Sequence, residues 1–176
     1  MSNLNIDEEV LDVEINKHLL AIGEFNCGAD HPLNDFLYNY AFNYALNNYG
    51  KTYIIFYDED IIAYYTLKAG SIVINTDKDG NGETVSLPLV EIARFAVAFD
   101  YQRQHIGTKV FNEKILPKIE VVASKIAIYG IMVFVLPSDN DAVMFYESLG
   151  FIKAGDDVQK NIDHFNEDCE LYILKL

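Results

Sequence analysis

The chain has 176 residues, 51% of them hydrophobic, and a formal charge of −14. This length suits one well-buried domain, residues 1–176, and the composition excludes a disordered or low-complexity protein. No apolar run approaches the ~18 residues of a membrane span, and the first ten residues are polar and acidic, so we expect neither a membrane span nor a secretory signal. Cys27 and Cys169 form no CxxC motif, so we expect a cytoplasmic protein without a disulfide framework.

The negative charge also bears on the partners. It opposes contact with a phosphate backbone, and no basic run reverses it locally, so we predict that nucleic acid is not a partner. Cationic ligands such as amines are favoured by the same field, although an acidic surface also serves solubility alone.

The first half of the chain predicts a helix followed by a hairpin. Apolar residues recur at three- and four-residue spacings from Leu33 to Asn48, and Gly50 can take a left-handed stop conformation. Two β-branched and aromatic runs, 52–57 and 61–67, are separated by an acidic turn and predict an antiparallel hairpin. Residues 77–82 predict a solvated turn, because the glutamate that closes a calcium loop is missing.

The second half alternates strands and helices. The pattern predicts an apolar strand at 87–99, a helix from Ile106 to about Val122 and a second buried strand at 126–136. A capping-box pattern then begins a short helix at 138–150, and two short strands end the chain. The order predicts a mixed α/β fold with one strand-helix-strand crossover and antiparallel flanks.

The turn between the first of these strands and its helix carries candidate binding residues. It reads Tyr101-Gln102-Arg103-Gln104-His105-Ile106-Gly107-Thr108 and resembles the signature Q/R-x-x-G-x-G/A of the GNAT superfamily of N-acetyltransferases. The resemblance implies that backbone N–H groups at the helix start bind the pyrophosphate of coenzyme A. His105 replaces the middle glycine, so it must tolerate the backbone angle that glycine favours or hold the loop differently. The implied pyrophosphate-binding residues are Gln102, Arg103, Gln104, His105, Ile106, Gly107 and Thr108.

The preceding strand is similar to the fourth strand of the GNAT fold. It reads V-E-I-A-R-F-A-V from Val90 to Val97. The resemblance implies that the main chain of Phe95, Ala96 and Val97 hydrogen-bonds the pantetheine arm of acetyl-CoA like an added strand. One N–H near Val97 is then expected to face the thioester oxygen.

A second segment, from Ser138 to Phe151, resembles the N-x-x-A-x-x-h-Y-x-x-x-G-F segment of the same family. Asp139 stands where asparagine is commonest, and Ala142 and Phe145 hold positions that the family packs against the cofactor. Tyr146 matches the tyrosine that often serves as general acid toward the departing thiolate. A buried tyrosine on an amphipathic helix is the alternative interpretation.

Acetyl transfer to an amine also requires a base, because an ammonium group is not a nucleophile. Glu91 is the candidate, since a carboxylate in an apolar strand is costly to bury unless it is paired, solvated or functional. It also matches a glutamate base in the histone-acetylating branch of the family. The open alternatives are an outward-facing side chain and an ion pair with a nearby arginine such as Arg94. Cys27 lacks the features of an activated nucleophile, and the histidines form no metal-binding set.

The two motifs together predict a GNAT fold (α+β), with a mixed, mostly antiparallel central sheet flanked by helices. The resemblance implies acetyl-CoA as cofactor and an amine of a small molecule or protein as acceptor. Segments 25–28, 33–37 and 63–67 also resemble small GNAT proteins that include toxins acetylating aminoacyl-tRNA, which is one alternative. A non-enzymatic acyl-CoA-binding or protein-interaction module is another. The aromatic helix at 36–49 fits either a homodimer interface or core packing.

Overall fold

The computed structural model describes residues 5–11, 17–29, 31–75, 83–155, 158 and 168–176. The predicted turn at 77–82 lies outside these residues. Within the described ranges the strands are β1 (Asp7–Val10), β2 (Lys51–Tyr57), β3 (Asp60–Asn75), β4 (Thr84–Val97), β5 (Gly130–Val135), β6 (Ile152–Lys153) and β7 (Glu170–Lys175). The helices are α1 (Lys17–Glu24), α2 (Pro32–Asp35), α3 (Ala41–Leu46), α4 (Ile106–Val110), α5 (Leu116–Ala123) and α6 (Asn140–Ser148).

Both long helices that the sequence predicts contain a π-helical turn. Phe36–Tyr40 joins α2 to α3, and Phe111–Ile115 joins α4 to α5. The second turn precedes Pro117, which lacks an N–H and would collide with a carbonyl in a regular helix. The predicted helix stop at Gly50 is wrong in detail, because Asn48 takes the left-handed conformation (φ 56°) instead.

The sheet has the strand order β1-β2-β3-β4-β5-β7-β6. β4 and β5 pair in parallel after a crossover through α4 and α5. The pairs β1–β2, β2–β3, β5–β7 and β6–β7 are antiparallel. The predicted hairpin, crossover and mostly antiparallel sheet are therefore confirmed.

The structure departs from the sequence prediction at β1 and at the start of β5. The sequence did not predict β1, because three of its four residues are carboxylates; it pairs with β2 through main-chain atoms. The strand predicted from Ile126 begins only at Gly130. Ile126 instead donates its N–H to the Val122 carbonyl at the end of the preceding helix, and its side chain is exposed.

The chain forms two compact units, the first of which comprises Met1–Lys68 and Ala93–Lys118. Tyr64 lies in its core, where the hydroxyl donates to the Leu33 carbonyl at 2.7 Å and the ring stacks on Phe36. The buried core residues are Leu11, Ile22, Phe25, Cys27, Phe36, Leu37, Ala41, Ile54, Ile61, Tyr64 and Ala96.

The opposite face of the first unit is held by a polar cluster around Tyr65. The Tyr65 hydroxyl donates to the Glu8 carboxylate, and its ring stacks on Tyr53 with 4.9 Å between centroids. Lys118 lies 3.0 Å from the second Glu8 oxygen and 4.4 Å from the centre of the Tyr53 ring. This cluster fixes β1 to the sheet although β1 has no apolar pattern.

The second unit comprises Ala69–Ile92 and Ile119–Leu176. Its core residues come from β3, β4, β5 and β7, namely Ile72, Leu89, Met132 and Leu171. The expectation that residues 1–176 form one domain stays a prediction. Among the helices in the described part of the chain, none is long and apolar enough to cross a membrane.

Gly130 is the position where the second unit tolerates a side chain least. A Cβ there would lie 2.4 Å from the Leu174 carbonyl oxygen, which belongs to the paired strand β7. We expect Gly130→Ala to lower the free energy of unfolding by about 2 kcal/mol or more, because main chain must shift. Gly23→Ala is the control: nothing lies near its Cβ, so it should stabilise α1 by roughly 0.5–1 kcal/mol. Urea denaturation measures both changes, and equal values would contradict the packing argument.

Candidate active site

The end of β4 is held by hydrogen bonds within the first unit. Ala98 donates its N–H to the Ile62 carbonyl and Phe99 to the Asn26 carbonyl, both at 2.8 Å. The Gln102 side chain donates to the carbonyls of Val97 (2.9 Å) and Cys27 (2.8 Å). The first motif residue therefore ties the strand end to the loop after α1, and its amide nitrogen is engaged with protein.

The segment that follows contains two left-handed residues. Arg103 has φ 58° and His105 has φ 61°, and His105 directly precedes α4. Of the two possibilities for the glycine replacement, the structure therefore shows that His105 adopts the left-handed backbone. Histidine is among the residues that tolerate this region, at a cost that glycine avoids.

The start of α4 presents main-chain donors. The first helical hydrogen bond runs from the Lys109 N–H to the His105 carbonyl, so the N–H groups of Ile106, Gly107 and Thr108 precede it. Ile106 is buried and anchors this turn, whereas the Gln104 side chain donates to the Asp100 carbonyl. Donors at a helix start, with the positive end of its dipole, suit an anionic pyrophosphate.

The predicted pantetheine-binding residues lie at the end of β4. Ala96 packs into the core of the first unit, while Phe95 and Val97 are half-buried. The parallel register of β4 with β5 covers Leu89 to Glu91. Residues 95–97 follow that paired stretch.

Glu91 belongs to the second unit and is buried, with 6% of its surface exposed. It is the one buried carboxylate among the residues that the structure describes. The Glu91 side chain begins next to Gly70: a Cβ added at Gly70 would lie 3.8 Å from the Glu91 Cβ. The alternative of an outward-facing Glu91 is therefore wrong, and among the described residues Arg94 forms no ion pair with it.

Tyr146 is buried in the second unit. Its ring makes edge contacts with Phe145 and Phe151, at centroid distances of 5.1 and 5.4 Å. Burial raises the pKa of Tyr146 well above its usual range, and the negative charge of Asp139 adds to the shift. Within the described ranges its hydroxyl has no hydrogen-bond partner, which is uncommon for a buried polar group.

A Schellman motif at the end of α6 fixes the Tyr146 backbone. Phe151 donates its N–H to the Tyr146 carbonyl and Gly150 donates to the Glu147 carbonyl. Gly150 has φ 90°, which explains why the motif ends in Gly-Phe. The Phe151 ring then packs on Tyr146, so the same four residues set both the helix end and the ring position.

Asp139 caps α6, because its carboxylate accepts the Ala142 N–H at 3.0 Å. This confirms the capping prediction and gives Asp139 a structural role besides the predicted cofactor contact. The second unit thus contains Glu91 and the four predicted site residues of the α6 segment, which are Asp139, Ala142, Phe145 and Tyr146. The first unit holds the strand end at 95–97 and the turn at 102–108.

Sequence reasoning missed Asn34, which organises the loop after α1. Its side-chain oxygen accepts the Cys27 N–H (2.9 Å) and thiol (3.1 Å), and its amide donates to the Gly28 carbonyl. Burial raises the pKa of the Cys27 thiol, which opposes a nucleophilic role. The described residues contain no group of three His, Cys, Asp or Glu side chains that could hold a metal ion.

Three solved structures share the fold of this chain. A tyrosine-to-phenylalanine mutant of the toxin AtaT has a TM-score of 0.76 and 21% identity, over 97% of this chain and 89% of that one. The same mutant bound to the C-terminus of the antitoxin AtaR and acetyl-CoA has a TM-score of 0.74 and 20% identity, over 97% and 93%. AtaT complexed with acetyl-methionyl-tRNAfMet has a TM-score of 0.71 and 20% identity, over 97% and 95%.

No curated protein matches the chain. The sequence model of the Acetyltransferase (GNAT) domain matches residues 48–153, which is more than half of the chain and includes both motifs. The chain therefore belongs to the GNAT acetyltransferase family, as its motifs predicted.

Proposed function

We propose that this GNAT acetyltransferase transfers the acetyl group of acetyl-CoA to a primary amine by direct attack, without an acyl-enzyme. The observation that carries the proposal is the buried Tyr146 hydroxyl, which lacks a partner among the described residues at the motif position of the general acid. The acetyl-CoA complex of an AtaT mutant supports the cofactor.

The end of β4 and the turn before α4 supply the cofactor contacts in this proposal. The N–H groups of Ile106, Gly107 and Thr108 bind the pyrophosphate, and Arg103 supplies a positive charge in a chain of net charge −14. The main chain of Phe95 to Val97 binds the pantetheine arm. Gln102 acts through the strand end, since its side chain holds the Val97 carbonyl.

Glu91 and Tyr146 supply the proton-transfer groups. Glu91 accepts a proton from the ammonium group, and the freed amine attacks the thioester carbonyl carbon. As the tetrahedral intermediate collapses, the carbon–sulfur bond breaks and the thiolate takes the Tyr146 proton. The nitrogen of the new amide loses its second proton, which restores the Tyr146 hydroxyl. Because burial raises the pKa of Tyr146, the hydroxyl stays protonated and available throughout the neutral range.

Cofactor binding is tested by titrating the protein with acetyl-CoA in a calorimeter. We expect roughly micromolar affinity, and at least about tenfold weaker binding for Arg103→Glu, because it places a carboxylate beside the pyrophosphate. Lys125→Glu is the control, since it makes the same charge change at an exposed residue outside the turn. Equal losses in both variants would mean that net charge alone sets the affinity. His105→Gly should bind at least as tightly as the native chain, since glycine adopts the left-handed angle freely.

The catalytic roles are tested by following thiol release from acetyl-CoA with a panel of primary amines. We expect Tyr146→Phe and Glu91→Gln each to lower kcat about 100- to 10,000-fold while the Kd for acetyl-CoA stays unchanged. The native rate should not fall between pH 8 and 10 through Tyr146 ionisation, because the raised pKa places that loss above pH 10. Tyr49→Phe removes a hydroxyl from an exposed tyrosine and serves as control.

The result that separates the enzyme from a non-enzymatic acyl-CoA-binding module is tight cofactor binding with no turnover. If the native chain binds acetyl-CoA but releases no thiol with any amine, the module alternative is favoured. Full activity in Tyr146→Phe would assign the proton donor elsewhere.

Aminoacyl-tRNA is the second candidate acceptor, favoured by the complex of AtaT with acetyl-methionyl-tRNAfMet. The charge of −14 opposes it, and the expectation that nucleic acid is not a partner stays a prediction. If tRNA is the acceptor, we expect expression to arrest growth and aminoacyl-tRNA binding to weaken steeply with salt. A filter-binding titration between 50 and about 200 mM salt measures the slope, and no binding at low salt removes this candidate.

A further inference from the structure

Arginine is rare in this chain, and both arginines lie in or next to the predicted cofactor-binding segment. It has 27 acidic and 13 basic residues, yet only two of the basic residues are arginines, Arg94 and Arg103. Arg103 lies in the predicted pyrophosphate turn, and Arg94 lies on β4 directly before Phe95. Arginine presents a planar fork of donors that matches carboxylate and phosphate groups better than lysine does. The predicted pyrophosphate site explains Arg103 but does not explain Arg94.

Arg94 is partly buried and rests on aromatic side chains. Its guanidinium carbon lies 4.9 Å from the centre of the Phe36 ring, and Nη1 donates to the Ala93 carbonyl. Phe36 is in turn stacked on Tyr64 and in edge contact with Tyr44. This aromatic support fixes the side chain and leaves further N–H donors of the guanidinium for other acceptors.

No carboxylate among the described residues lies within ion-pair distance of Arg94. In a chain with twice as many acids as bases, such a partner would be easy to provide. Three lysines show the contrast, since each contacts a carboxylate in the pairs Lys109–Glu113, Lys118–Glu8 and Lys153–Glu170. A half-buried guanidinium without a counter-charge is costly unless an anion completes its surroundings.

We propose that Arg94 binds an anionic group, a carboxylate or a phosphate, carried by the amine acceptor. This assignment rests on the proposed function, in which the main chain of the next three residues, Phe95 to Val97, binds the arm that carries the acetyl group. The acceptor class is then an amine that also bears an oxyanion, such as an amino acid or an aminoalkyl phosphate. Arg94 supplies the local attraction that lets so acidic a chain accept such a substrate.

The two arginines allow a direct test by NMR with arginine labelled with ¹⁵N at Nε, because the chain then gives two side-chain signals. Arg94→Lys and Arg103→Lys assign them. With coenzyme A at saturation, the protein is titrated in one series with inorganic phosphate and in another with glycine, against sodium chloride at matched ionic strength. We expect coenzyme A to shift the Arg103 signal alone, and phosphate or glycine to shift the Arg94 signal saturably. The series that saturates at lower concentration identifies the anionic group.

Two results overturn the proposal. If the Arg94 signal moves with coenzyme A and not with the added anions, the residue serves the cofactor. If it moves with neither, or as weakly as with chloride, it only packs on Phe36. Failure of the proposed function is seen separately, as absence of any Arg103 shift and of calorimetric binding with coenzyme A.

A matched pair of variants separates anion binding from packing. Arg94→Met keeps an unbranched chain against Phe36 but has no charge, and Arg94→Lys keeps the charge but not the fork. Both should retain the native Tm within a few degrees. In calorimetric titrations of the coenzyme A complex, phosphate or glycine should bind saturably to the native chain and at least about tenfold more weakly to both variants, and unchanged binding would place the anion elsewhere.

Discussion

The hydrogen bonds of Gln102 at the end of β4 are the constraint on which the cofactor side of this structure depends. One amide nitrogen holds the Val97 carbonyl and the Cys27 carbonyl, and so joins the strand end to the loop after α1. Because the strand stops there, the chain must turn sharply before α4, and two residues take left-handed angles to do so. The main-chain donors at the start of α4 are positioned by this turn, so the first GNAT motif is a description of backbone geometry more than of side-chain chemistry.

At the end of α6, too, the motif residues set the backbone geometry. The Gly-Phe pair of the second motif ends the helix with a Schellman motif, and the same phenylalanine packs against Tyr146. The tyrosine is therefore held by the helix end itself. Asp139 caps the other end of the helix, and its negative charge further raises the pKa of Tyr146. Burial is the larger cause of that shift, and it keeps the hydroxyl protonated where the proposed chemistry needs a donor.

Basic residues are few in this acidic chain, so their positions are informative. Lys109, Lys118 and Lys153 contact carboxylates and Lys175 contacts an aromatic ring, whereas the two arginines flank the strand segment assigned to the acetyl-bearing arm. This distribution fits an enzyme whose ligands are anionic at two separate points. It also shows why net charge alone is a poor guide to a partner, since one guanidinium in a half-buried setting is screened less than many exposed carboxylates.

The sequence by itself determined the order of most strands and helices, both motifs and the family, because these depend on local periodicity and on residues at fixed spacings. It did not predict β1, whose carboxylates lack an apolar pattern and are held by Tyr65 and Lys118 from distant parts of the chain. Nor could alternation decide that Glu91 is buried or that Arg94 has no carboxylate partner among the described residues. Burial and pairing were decided only by the tertiary structure, because they depend on which strands and helices pack together and not on the residues adjacent in sequence.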